Sequence, residues 1–250
     1  MEKENLNNST IIRNISTDQS EILHNIMELY TGGQPFDCDM TASTLSFYRK
    51  SNGEKYEIPK PRLLFDVYPQ GEGQVKITPF ERLPLADGEI KSIVVDLPFV
   101  VSPKTSQSVV NKKDGSNIIF KRFASWYPVQ EFYENAYWWI KECYRVLEEG
   151  GICVWKMQNT VSGGISHWFT PFSMLCAQDA GFYVIDEFQL EAKNRLISAG
   201  KYKKQVHARK YTSTFFVFAK DGKKAEKTDI MRILKGCKEQ DLEHKVWEIK

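Results

Sequence analysis

What this 250-residue sequence does not contain narrows it first. It has no apolar run long enough to cross a bilayer, which excludes a helical membrane span. Its beginning, MEKENLNNST, carries no apolar signal core, so no secretory leader is expected. There is no CxxC pair: the five cysteines, Cys38, Cys143, Cys153, Cys176 and Cys237, lie far apart and are odd in number. That argues against a disulfide framework and a structural zinc site, and the simplest setting is a reducing, cytoplasmic one. Nor is there an excess of one charge, since 34 basic and 32 acidic residues leave a formal net charge of +2. Any nucleic-acid surface must therefore be a local patch. The length allows a full core and asks for no second domain, so one α/β domain with extensions is expected.

The chain is organised around residues 90–103, IKSIVVDLPFVVSP. Ile93, Val94 and Val95 form an unbroken β-branched run, the pattern of a strand buried on both faces of a parallel sheet. Asp96 ends that run, at the carboxyl end where open α/β sheets keep their chemistry. Leu97, Pro98 and Phe99 follow, so a carboxylate, a backbone carbonyl, a rigid turn and an aromatic plane fall within four residues. Such a set can hold a flat amine-bearing ring: two acceptors for the amine hydrogens and a ring to stack on. An ordinary strand-to-loop exit has the same look, and the rest of the chain must decide.

Residues 1–17 are polar and Asn-rich, a flexible lead-in. Asp18 then precedes Ile22, Leu23, Ile26 and Leu29 at helical spacing, and Gly32-Gly33 stops the helix. Asp37 and Asp39 come next, either as a turn with solvated side chains or as a first strand ending in a ligand loop. Leu63-Leu64-Phe65-Asp66 repeats the central design, and Asp66 is the candidate acceptor for a pair of ribose hydroxyls. A short strand near residues 75–77 leads to Glu81-Arg82-Leu83-Pro84-Leu85. Strands so close together leave little room for crossover helices, so the front half of the fold is abbreviated.

Residues 102–126 make a long loop in which Lys121 and Arg122 join other lysines among Ser and Asn, suited either to solvent or to phosphate. From Pro128 a helix carries Phe132, Tyr133, Ala136, Ile140 and Cys143 on one face and is expected to end at Gly150-Gly151. The strand ICVWKM follows, completing an αβ unit of a parallel sheet. Gln158 to Gly164 reads as loop, and His167, with no partner in view, as structural or exposed before a second helix capped by Gly181. Two late strands, residues 182–190 and 213–219, pair as an antiparallel edge hairpin. The segment joining them is the densest basic patch, with Arg195, Arg209 and Lys210 among its cations; a solvated loop is the alternative. Residues 221–250 form a charged helical extension to a domain spanning residues 18–220.

On Asp96-Leu97-Pro98-Phe99, on CYRVLEEGGICVWKMQ, and on AGFYVIDEFQLEAKNR with HARKYTSTFFVF, the chain resembles the Rossmann-like, S-adenosylmethionine-dependent amino-methyltransferases of DNA. Small phage and prophage members without a large target-recognition domain are the nearest in kind. The resemblance runs over residues 28–220 and implies a mostly parallel central sheet closed by an antiparallel C-terminal hairpin. It implies that Asp96 and the Leu97 carbonyl, set by Pro98, receive the target amine while Phe99 stacks on the flipped base. Asp37, Asp39, Asp66, Glu81 and Leu83 would contact the cofactor, and Lys121, Arg122, Arg195, Arg209 and Lys210 the nucleic acid. Two departures stand out: the family's first proline is Leu97, and its Gly-rich first motif is replaced by residues 37–43, DCDMTAS.

An exocyclic amine conjugated to a ring is a poor nucleophile, and two acceptors aimed at its hydrogens favour a pyramidal nitrogen whose lone pair points at the sulfonium methyl. That chemistry calls for no metal. The expected substrate is N6 of adenine in DNA, with N4 of cytosine in the same class. An RNA methyltransferase, or a nucleic-acid-binding protein that kept this fold without activity, are the rival readings.

Overall fold

The computed structural model describes residues 11–49, 53–101, 125–126, 128–193 and 205–239. In chain order its elements are β1 (Ile15–Ser16), α1 (Gln19–Tyr30), β2 (Cys38–Asp39), β3 (Leu63–Asp66), β4 (Gln74–Lys76), β5 (Ile90–Asp96), β6 (Val100–Val101) and β7 (Ser125–Trp126). Then come α2 (Val129–Val146), β8 (Leu147–Met157), β9 (Thr160–Ser162), β10 (Ile165–His167), α3 (Phe169–Asp179), β11 (Tyr183–Glu191), β12 (Thr212–Ala219), α4 (Gly222–Thr228) and α5 (Ile230–Glu239).

Eight strands form one sheet in the order β1-β11-β12-β8-β5-β2-β3-β4. From β4 to β8 every pairing is parallel, while β12 runs antiparallel to both β8 and β11. The expected α/β architecture with a C-terminal antiparallel hairpin is therefore present. The chain moves outward from β2 to β4, then returns to place β5 on the other side of β2. This reversal opens a crevice at the carboxyl ends of β2 and β5.

Side chains alternate between two cores, one on each face of the sheet. Ile93 and Val95 of β5, Cys153 and Trp155 of β8, and Phe216 and Phe218 of β12 meet Phe132, Trp139 and Ile140 of α2 and Phe169 of α3. Val94, Val154, Phe215 and Val217 point the other way, onto Ile22, Leu23 and Ile26 of α1. That is why the central strands read as continuous apolar runs. Asp18 caps α1 by accepting the amides of Ser20 and Glu21. Among the described residues no helix lies between β2 and β5, in keeping with the abbreviated front half, and none is long and apolar enough to cross a membrane.

Three details differ from the sequence reading. The lead-in is not wholly unstructured: Ile15 and Ser16 add a parallel edge strand to β11 opposite Gln189 and Leu190. The helix α2 ends at Val146, before Gly150-Gly151: Leu147 turns to extended backbone at ψ 139° and pairs with Ile90 of β5, and Lys220 Nζ satisfies the carbonyls of Tyr144 and Leu147 at 2.9 and 2.7 Å. The glycines serve β8 instead, since a Cβ on Gly151 would lie 2.9 Å from the Glu148 carbonyl oxygen and 3.0 Å from that of Lys91. Finally, the stretch read as loop before His167 is the hairpin β9–β10, turned by Gly163 and Gly164 at positive φ.

Candidate active site

Three acids stand at the carboxyl ends of adjacent strands: Asp39 on β2, Asp66 on β3 and Asp96 on β5. They share one cavity of about 570 Å³, whose wall also includes Thr41, Ser43, Phe47, Tyr68, Leu97, Pro98, Phe99, Trp126, Glu131, Trp139 and Lys156. The first wall is the loop after β2. It turns sharply, with Ser43 and Leu45 in the left-handed region at φ 44° and 59°, where a glycine would sit without strain. Asp66 holds that conformation: its Oδ2 accepts the Ser43 amide at 2.8 Å, and its Oδ1 accepts the Tyr68 amide at 2.6 Å. Burial raises the Asp66 pKa, against the pull of these two amides.

Asp39 is 2 % exposed. Its carboxylate accepts the Thr41 amide at 2.7 Å, the Thr41 hydroxyl at 3.2 Å and the Tyr48 hydroxyl at 2.7 Å. Burial pushes its pKa up to about 7 even so, with Tyr48 and Thr41 acting to lower it. The Thr41 hydroxyl in turn accepts the Asp96 amide at 2.7 Å, tying the loop after β2 to the end of β5. The Asp96 carboxylate receives Lys156 Nζ on Oδ2 at 3.0 Å, the two side chains being 28 % and 12 % exposed. Pro98 offers its carbonyl to the indole N–H of Trp126, and the parallel pair β6–β7 brings Trp126 to this wall.

The sequence-predicted residues divide accordingly. Asp39, Asp66, Asp96, Leu97, Pro98 and Phe99 come together around the cavity; Asp37, Glu81 and Leu83 do not line it. Asp37 precedes β2 and so lies at the amino end of the sheet, where it accepts the Lys91 amide at 2.8 Å and pairs with Arg62 at 3.5 Å. Glu81 is exposed, on a turn closed by its amide on Thr78. Leu83 is buried under α2, its amide held at 2.7 Å by Glu142, which with Arg145 straps this loop to the helix. Among the described residues no cluster of His, Cys, Asp and Glu could hold a metal ion.

Lys121, Arg122 and Arg195 lie outside the described residues. Arg209 and Lys210 precede β12, whose Thr214 pairs with Met157 at the end of β8, so both sit on the carboxyl side of the sheet with Asp96. Lys210 lies 4.9 Å from the ring centre of Trp168, which is 57 % exposed. His167 stacks on Phe169, its pKa lowered by burial.

Sequence reasoning missed Lys156, Thr41, Phe47 and Trp139. The one available signal was a lysine closing the otherwise apolar strand ICVWKM; its meaning depends on the register that sets Lys156 beside Asp96. Chemically, the cavity offers carboxylates for amines and hydroxyls, flat aromatic surfaces, and a single basic side chain among its lining residues.

A family model described as DNA methylase, of the N6/N4 type, matches residues 90–250. No curated protein matches the chain. Among solved structures, a candidate DNA modification methylase from Thermus thermophilus is 12% identical, covering 56% of this chain and 49% of its own, with a TM-score of 0.35. A candidate methyltransferase from Thermoplasma acidophilum is 10% identical over 83% of this chain and 66% of its own, with a TM-score of 0.32. The chain spans about half the length of the Thermus protein.

Proposed function

The chain belongs to the DNA methylase family, and we propose that it transfers the methyl group of S-adenosylmethionine to an exocyclic amine of a DNA base, N6 of adenine first among the targets. The observation that carries this reading is the meeting of Asp96, Leu97 and Phe99 with Asp66 and Asp39 in one cavity at the reversal of strand order.

The cofactor fits the cavity's chemistry. It carries a positive sulfonium, and among the lining residues the acids Asp39, Asp66, Asp96 and Glu131 outnumber the sole basic side chain, Lys156. When bound, S-adenosylmethionine supplies an electrophilic methyl group. The rest belongs to the chain. Asp66 retains lone pairs for the ribose hydroxyls after accepting two amides. Asp96 and the Leu97 carbonyl accept the two amine hydrogens, which draws the nitrogen lone pair out of conjugation and towards the methyl. Phe99 stacks on a base that has left the duplex. Asp96 is placed to accept the proton that the nitrogen sheds.

The informative variant is Asp96→Asn rather than Asp96→Ala, because Ala would leave the Lys156 ammonium without its carboxylate and with only the Gln19 carbonyl as acceptor. Asn has one acceptor oxygen, which Lys156 takes, so its amide hydrogens face those of the substrate. With methyl-labelled cofactor and a panel of DNA and RNA, the wild type should label DNA, and Asp96→Asn should lose at least about a hundredfold in rate while melting and S-adenosylhomocysteine affinity persist. An unchanged rate removes Asp96 from the site; label in RNA alone reassigns the substrate; no cofactor binding by the wild type leaves a binding protein on this fold.

A further inference from the structure

Asp96 is held by more than its own strand. Its backbone amide donates to Thr41 Oγ1, which leaves only the side-chain torsions to place the carboxylate. Lys156, beside it in the register of β5 and β8, takes up that freedom through Nζ on Oδ2 at 3.0 Å. Lys156 is itself held by three further side chains. Gln19, the first residue of α1, accepts from Nζ at 3.1 Å, and the rings of Phe47 and Phe215 lie 4.9 and 5.5 Å from the ammonium. The ammonium at the end of the flexible four-carbon stem thus sits over two neighbouring aromatic rings, which favour a cation. Lysine at this place costs desolvation at 12 % exposure, and a hydrophobic residue would close an otherwise apolar strand without that cost.

We infer that Lys156 is a positioning residue for methyl transfer: it occupies Asp96 Oδ2 and so presents Oδ1 alone, in one orientation, to the amine of the target base. The inference rests on the methyl-transfer reading given above. With one carboxylate oxygen committed to the ammonium, the two amine hydrogens must be divided between Oδ1 and the Leu97 carbonyl rather than shared by the two oxygens of Asp96. The direction of the nitrogen lone pair is then set by two acceptors from neighbouring residues, one of them backbone. Lys156 also offsets the charge of one of the cavity's carboxylates, so that Asp96 meets the amine as part of an ion pair.

Lys156→Met keeps an unbranched apolar stem beside Phe47 and Phe215 and deletes the charge. Turnover should fall roughly 10- to 100-fold, the scale on which a misplaced catalytic group slows a reaction. KM for DNA and the Kd of S-adenosylhomocysteine should stay within about threefold of wild type, since neither substrate relies on Lys156 in this account. Lys156→Arg, which restores a donor to Asp96, should recover most of the lost turnover. Gln19→Leu releases the ammonium without touching Asp96 and should lower turnover by a smaller factor, which keeps the inference testable if Lys156→Met does not fold. Turnover of Lys156→Met within about twofold of wild type overturns the inference. So does a variant that loses S-adenosylhomocysteine affinity while its turnover is kept, because Lys156 would then serve the cofactor. A wild type that binds S-adenosylhomocysteine yet methylates no base overturns the methyl-transfer reading and the role of Lys156 with it.

Discussion

Replacing Asp66 by Asn tests the cofactor side of the site, and the structure makes this a harsher change than the shared shape implies. Each carboxylate oxygen already accepts a backbone amide, Ser43 on Oδ2 and Tyr68 on Oδ1. An asparagine has one oxygen, so its NH2 must face one of two N–H groups in either flip. The loss has two parts. One ribose hydroxyl loses a charge-assisted acceptor, worth about 1.5–3 kcal/mol, which is roughly a tenfold to hundredfold fall in affinity. One backbone amide in the strained Ser43 loop or at Tyr68 is left unpaired, which costs about 1–3 kcal/mol of stability. Calorimetry with S-adenosylhomocysteine measures the first part and thermal melting the second. A cofactor analogue lacking both ribose hydroxyls separates them, because its affinity should be weak and nearly indifferent to Asp66→Asn. A folded Asp66→Asn protein whose S-adenosylhomocysteine affinity stays within twofold of wild type would refute the ribose assignment.

Asp39→Asn should behave differently, since Thr41 donates to one oxygen while the Tyr48 hydroxyl can rotate to accept from the new NH2. Burial raises the folded pKa of Asp39 to about 7, so between about pH 4 and 7 the folded chain binds more protons than the unfolded one. Stability should therefore fall as pH rises through that window, with a contribution of up to ~1.4 kcal/mol per pH unit, and melting curves of Asp39→Asn should lack that contribution. Replacing Arg209 and Lys210 by Ala should weaken DNA binding and reduce the slope of log affinity against log salt by about 2, with S-adenosylhomocysteine affinity unchanged; an identical slope makes these residues solvated surface. Gly151→Ala drives a Cβ onto two backbone carbonyl oxygens and should lower stability by about 1–3 kcal/mol, measured by denaturant titration.

Much of the fold was legible because it follows from local rules. A strand between two helical layers must be apolar on both faces, which made Ile93, Val94 and Val95 readable, and an acid closing such a strand lies at the carboxyl edge wherever its neighbours are. The same rule located Asp66. Asp18 marked the start of α1 by its capping chemistry, and two strand-like runs joined without an obvious intervening helix marked the hairpin of β11 and β12. The end of α2 was not legible, since the group that satisfies its last carbonyls is Lys220, more than seventy residues further along the chain.

The sequence by itself determined which acids close apolar strands, because that depends on the order of apolar and acidic residues along one strand. Only the tertiary structure decided which acids share a site. Asp37 and Asp39 look alike in the chain, but β2 is two residues long, so one acid falls at its amino end against Arg62 and the other at its carboxyl end in the cavity. The pairing of Asp96 with Lys156 is of the same kind: it is a matter of register between parallel strands sixty residues apart, and register is set by how two whole faces pack, not by any residue near either side chain.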